Sequence, residues 1–256
     1  FVLLAAALLV VSGFFMFAGT ASAVTGVTVT DATGGSTISA DTVGGTFTDL
    51  TGPVITENNV GQIGIGTIVL TAPSGFEFNT VQNVTATRVS AGSCSGTGNN
   101  VLKLNDSNSQ TATPNSTTIT FNVTQASAGN PSLCTATITF TNIQVRPTTG
   151  ILPNSGNITH TGTSIIAGVD GTTNFGTLTE IVGAPSPTLS TITTTLGEVT
   201  TDGGLLAQIT VTVKDQYGNL IVGLAASKVV LSASGTGNTL NQPSLPTDSN
   251  GQTFGS

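Results

Sequence analysis

Residues 118–124 read Thr-Ile-Thr-Phe-Asn-Val-Thr, and this alternation constrains the chain more than any other feature. Successive side chains of an extended strand point to opposite faces, so Ile119, Phe121 and Val123 share one face while Thr118, Thr120, Asn122 and Thr124 share the other. One face is core and the other a threonine ladder, a good pleated and solvated surface. After Val24 no stretch has the 3.6-residue apolar period of an amphipathic helix. Short alternating runs bounded by Gly, Pro, Asn and Asp recur instead, at 27–30, 46–50, 63–71, 76–78, 84–89, 101–104, 117–124, 134–140, 143–146, 157–161, 164–169 and 177–182. Strands at that spacing predict an all-β chain folded as a sandwich or barrel. Cys134, Ala136, Ile138 and Phe140 share the inward parity, but Ile143 and Val145 are out of phase with them. A bulge is therefore expected near Thr141 and Asn142.

Only 7% of the 256 residues are charged, so solubility rests on hydroxyl and amide groups. The net charge is −7, and the five cations Arg88, Lys103, Arg146, Lys214 and Lys228 are scattered. Phosphate backbones and anionic lipid require clustered cations, which argues against nucleic acid and against a charged membrane surface as partners. Residues 1–18 are apolar and carry no charge, and Ala21-Ser22-Ala23 then supplies a small-residue cleavage site. This predicts a secretory signal peptide over 1–23, as a helix, cut after Ala23, with an uncleaved membrane anchor as the alternative. A pilin-type start is disfavoured because position 5 is Ala and strand pattern begins directly after Ala23.

The length suggests about two domains. Gly183-Ala184-Pro185-Ser186-Pro187 is the best boundary, since its prolines lack the donor a central strand needs and hold the chain extended. The expected organisation is an enlarged β-sandwich module at 24–183, a Pro-containing linker at 184–188 and a second module at 189–256. The first is longer than the ~100 residues of a simple immunoglobulin fold. One enlarged sandwich and two small ones both fit it, and one is favoured.

In the second module Ala207, Ile209, Val211 and Val213 alternate with Gln208, Thr210, Thr212 and Lys214, a half-buried strand. The run stops at Asp215-Gln216-Tyr217-Gly218-Asn219, a turn, and the apolar run 220–222 completes a hairpin. Asp202-Gly203 precedes it, Gly223 follows it, 229–232 reads as the next strand, and Thr247-Asp248-Ser249-Asn250-Gly251-Gln252 stands near the end. This order of landmarks over roughly 188–256 resembles the bacterial immunoglobulin-like domains of the invasin and intimin type. The resemblance implies a β-sandwich repeat of a surface protein that holds a binding tip away from the cell, with no catalytic residues to carry over. It also implies a closing strand through Phe254, expected to be short or missing before Ser256, with an open edge left beside it. Residues 71–78, Thr-Ala-Pro-Ser-Gly-Phe-Glu-Phe, are loosely similar to stretches of other secreted bacterial repeat proteins.

Cys94 and Cys134 lie in the same module of a chain that reads as exported, and a disulfide is the natural expectation in an oxidising compartment. Closing a loop of about 40 residues would contribute about 4 kcal/mol in the chain-entropy picture. Two unpaired buried thiols are the alternative, since the inward parity of Cys134 also suits a small core residue. Gly92-Ser93-Cys94-Ser95-Gly96 mimics a nucleophile elbow, but such an elbow works on a strand-to-helix turn beside a base, and no helix follows here. His160, the sole histidine, lies on a predicted strand, where a structural or surface role is expected. Zinc would need partners the chain lacks if both cysteines are committed elsewhere.

Asp31, Asp41, Asp49, Asp170 and Asp202 stand near Gly or Thr and read as turn formers. Calcium held at a module junction by Asp202, Asp215 or Asp248 is a further possibility, because that ion tolerates irregular oxygen cages. Gly61, Gly64 and Gly66 hint at a nucleotide loop, but Val69 occupies the third glycine position and no helix follows. Close backbone approach or a bulge explains them better. The chain has no Trp and one Tyr, and Phe47, Phe76, Phe78, Phe121 and Phe140 read as core, so it lacks the aromatic platform of a sugar-binding module.

The expectation is a non-enzymatic secreted or cell-surface bacterial protein, an adhesin-type stalk or envelope element built of immunoglobulin-like repeats. It would need no cofactor and would meet a host, neighbouring-cell or envelope surface component, touching membrane only through its signal or an anchor elsewhere. The alternatives are accessory modules of a larger secreted hydrolase, and a glycan- or protein-binding module. Sequence beyond Ser256 would separate the stalk from the hydrolase.

Overall fold

The computed structural model describes residues 26–256 apart from 92–93, 95–100, 130–133 and 196–205. The expected signal peptide at 1–23 lies outside the described residues, as does Asp202. The strands in chain order are β1 (Thr28–Thr30), β2 (Ile38–Ser39), β3 (Thr48–Leu50), β4 (Val54–Thr56), β5 (Gly66–Thr71), β6 (Phe76–Phe78), β7 (Val84–Ser90), β8 (Lys103–Leu104) and β9 (Ser109–Ala112). They continue with β10 (Thr118–Gln125), β11 (Ala136–Thr141), β12 (Ile143–Pro147), β13 (Ser155–Asn157), β14 (Thr159–His160), β15 (Thr177–Ile181), β16 (Thr191–Thr194), β17 (Ile209–Thr212) and β18 (Gln252–Gly255). The only helical segments among the described residues are two 3-10 turns, Ala40–Thr42 and Ala226–Lys228. The described residues are all-β and of β-sandwich type.

The described residues form five sheets, in the orders β1-β4-β11-β7-β9, β14-β5-β10-β8, β3-β12-β6, β13-β15-β2 and β16-β17-β18. The two largest are antiparallel and send their inward side chains into one shared core, which runs from Ala32 to Leu178. Phe121 of β10 and Phe140 of β11 meet there with ring centroids 5.2 Å apart, so the two sheets pack face to face. Burying each such ring contributes about 2–3 kcal/mol. On β10 the predicted alternation holds residue by residue, with Ile119, Phe121 and Val123 buried and Thr120 and Asn122 exposed.

The slip after Phe140 is real but is not a bulge. Asn142 adopts φ 65°, and the chain passes there from β11 in the five-stranded sheet to β12 in a three-stranded one. A corner between sheets reverses parity as a bulge would, and Asn tolerates the left-handed conformation that turns it. The run 164–169 forms no strand; its one bridge pairs Ile166 with Ile63, and Ser164, Ile165 and Ala167 bond to the backbone of 62–67. Phe47 is half-buried instead of core, with the Arg146 guanidinium 4.2 Å above its ring.

In the C-terminal part, β16, β17 and β18 make one antiparallel sheet. The closing strand through Phe254 is therefore present. The expected hairpin is reduced to a bridge between Lys214 and Leu220, and 229–232 is not a strand. Its buried apolar side chains among the described residues are Val213, Ile221 and Leu231.

Candidate functional site

The turn at 215–219 closes on itself first. Asp215 Oδ1 accepts the backbone N–H groups of Tyr217 and Asn219, both at 2.9 Å, and Gly218 supplies the positive φ the turn requires. The same side chains then reach the N-terminal part. Asp215 Oδ2 accepts Gly183 N–H at 3.0 Å and Asn219 Nδ2 at 2.7 Å. Asn219 uses both ends of its amide on the loop after β12: Nδ2 donates to Gly150 O at 2.7 Å, and Oδ1 accepts Leu152 N–H at 3.1 Å. Gln216 Nε2 donates to Asp41 Oδ1 at 3.1 Å, while Asp41 Oδ2 accepts Ala184 N–H at 2.7 Å. The Pro-containing stretch 184–188 is tied down as well, with Ser186 N–H on Lys214 O at 2.7 Å.

Packing reinforces these bonds. The Tyr217 ring lies against Gly150, where a Cβ would stand 2.5 Å from Cγ of the ring and where φ is +69°. Any other residue at 150 would meet both strain and a clash.

Electrostatics at the joint are asymmetric. Asp215 is fully buried. Burial alone would push its carboxyl up, but the bonds from Asn219, Gly183 and Tyr217 together outweigh that and hold it below the usual carboxylate range. Glu180, 2% exposed on β15, goes the other way. Burial raises it, the bond from Asn154 opposes, and the Asp215 charge adds to the rise.

The other candidates fall elsewhere. Cys94 and Cys134 form a disulfide with Cα atoms 5.0 Å apart, within the normal span, so neither is a free thiol. Residues 92–93 and 95–96 of the elbow-like stretch lie outside the described residues. His160 is buried on β14 beside Phe175; burial pushes its imidazole below the ordinary value, against a backbone bond with Thr67 that raises it. Gly66 has φ +140°, and a Cβ there would lie 2.7 Å from Ser164 N, so close backbone approach accounts for it.

Asp170 and Asp248 accept N–H groups two residues on, as turn formers do. Asp31 accepts from Asn174, and Asp49 lies within β3 and not in a turn. Of the acids considered for calcium, Asp215 has both oxygens taken by N–H donors. Among the described residues no three His, Cys, Asp or Glu side chains assemble as a metal site. Glu180, Asn219, Gly150 and Asn154 escaped the sequence reading as joint residues. Comparison with known protein families, curated proteins and solved structures finds no match.

Proposed function

We propose that this chain is a non-enzymatic segment of an extracellular bacterial surface protein, a stalk of immunoglobulin-like modules that carries a contact site away from its anchor. The observation that carries this reading is the joint. A chain whose task is reach must keep consecutive units from folding back, and here side chains of one unit satisfy backbone groups of the other on both sides of the linker. The disulfide is compatible with an oxidising location outside the cell. The partner would be a host, neighbouring-cell or envelope surface component.

Small-angle scattering on the full chain tests the reading. An elongated particle of fixed length is expected, and Asp215→Ala should broaden its length distribution, because Gly183, Tyr217 and Asn219 lose an acceptor at about 1–3 kcal/mol for each buried donor left unsatisfied. A compact globule, or a freely jointed wild type at every pH, would overturn it.

A further inference from the structure

We propose that Glu180 is a proton-operated latch on the joint, closed while its carboxyl is uncharged and loosened when that carboxyl gives up its proton. The inference rests on the joint described above and does not depend on what the stalk binds.

Two buried glutamates show what is unusual. Glu57 is 2% exposed and fully provided for: Oε1 accepts Ile63 N–H at 3.0 Å, and Oε2 accepts Ser127 Oγ at 2.6 Å and Ala136 N–H at 2.9 Å. Glu180 is equally buried, but only Oε2 has a donor, Asn154 Nδ2 at 2.7 Å, and that amide also serves Gly75 O at 3.1 Å. Its Oε1 is buried without a hydrogen-bond partner. A buried anionic oxygen lacking a donor is costly, and a neutral carboxyl in the same place is much less so.

The groups around Glu180 offer no relief. Across the joint stands Asp215, whose own oxygens hold Gly183, Tyr217 and Asn219 and so keep it charged. From the strand paired in parallel with β15, Ile38 lies beside Glu180, and the following 3-10 turn carries a further acid, Asp41. The β13 side contributes neutral Asn154 and Ser155. The turn adds neutral Gln216, Tyr217 and Asn219. Toward β6, Glu77 is matched by Arg146 at 2.6 Å. Asp215 is the one charge that acts on Glu180 appreciably, and its sign is the same. Of two neighbouring carboxyls with such unequal donors, the proton settles on Glu180.

The signs define a window. Glu180 is raised in the folded chain, so its contribution to the closed joint is complete below its unfolded value and fades as pH climbs through the folded one. Asp215 is depressed, so its contribution is complete above its unfolded value and fades as pH falls through the folded one. The joint is tightest between them. The link is short: Glu180 is three residues from Gly183, whose N–H is bound by Asp215.

NMR relaxation of the full chain reads out whether the two parts tumble together. Joint tumbling is expected near the usual glutamate value of about 4.3, where a raised carboxyl is still largely protonated, and partial decoupling well above the folded value. Glu180→Gln, which fixes the neutral state, should stay coupled at both. Equal coupling of the wild type at both pH values, or an unchanged pH response in Glu180→Gln, overturns the latch while leaving the stalk untouched; decoupling at every pH defeats the stalk as well. If the variant does not fold, the carboxyl carbon of Glu180 in the wild type decides, because titration at or below about 4.3 overturns the proposal and titration above it supports it.

Discussion

The two halves of the molecule are written in the same alternating idiom, yet they bury it to different depths. In the N-terminal half, inward side chains from two facing sheets close on each other, and Ile55, Ile68, Leu70, Phe121 and Phe140 have no exposure at all. In the C-terminal half, among the described residues, one sheet stands without a facing partner sheet. Ile192 and Val211 are cross-strand neighbours on the same face, but Ile192 is 63% exposed, and Val230 and Leu245 are 78% and 71% exposed. Alternation assigns a side chain to a face; only a second layer turns that face into a core. The clasp at 215–219 ties this sheet to the N-terminal part and so serves its stability as well as its orientation.

That contrast can be broken in the laboratory. Phe121→Ala should cost about 3–5 kcal/mol, as deletion of a fully buried ring does, and should lower only the N-terminal unfolding transition in calorimetry. A matching drop in the C-terminal transition would mean that the halves unfold as one. Reducing the Cys94–Cys134 bridge should follow, at about 3–4 kcal/mol for a loop of some 40 residues, again confined to the N-terminal half by hydrogen exchange. The smallest effect is expected for Ile192→Thr, within about 0.5 kcal/mol of wild type in denaturant titration. A loss above about 1.5 kcal/mol would show that the open face is covered in solution and would erase the contrast.

The long runs were legible because period two needs length to show itself. The runs 117–124 and 134–140 span enough alternations to define both a strand and its inward side. β2, with two residues, and β4, with three, contain too few to mark an alternation in the sequence. Residues 164–169 and 229–232 look like strands by composition; the first keeps a short set of backbone bonds to 62–67 around a single bridge, and the second has none of a strand's pairing. The turn at 215–219 was legible as a turn because Asp, Gly and Asn advertise it locally. Its second role was not, because Gly150, Leu152 and Gly183 are remote in sequence. One clue did stand in plain view: in 177–182 the parity that buries Leu178 also buries Glu180, and a charge on an inward position marks a place where something other than packing is at work.

The scarcity of charge has a consequence for the settings in which such a chain can stand. Among the described residues Arg146 and Glu77 make the one ion pair, and cohesion otherwise comes from apolar burial, backbone ladders and short-range bonds to buried acids, none of which a salt atmosphere screens strongly. Passage from fresh water to brine should therefore leave its melting temperature almost where it was.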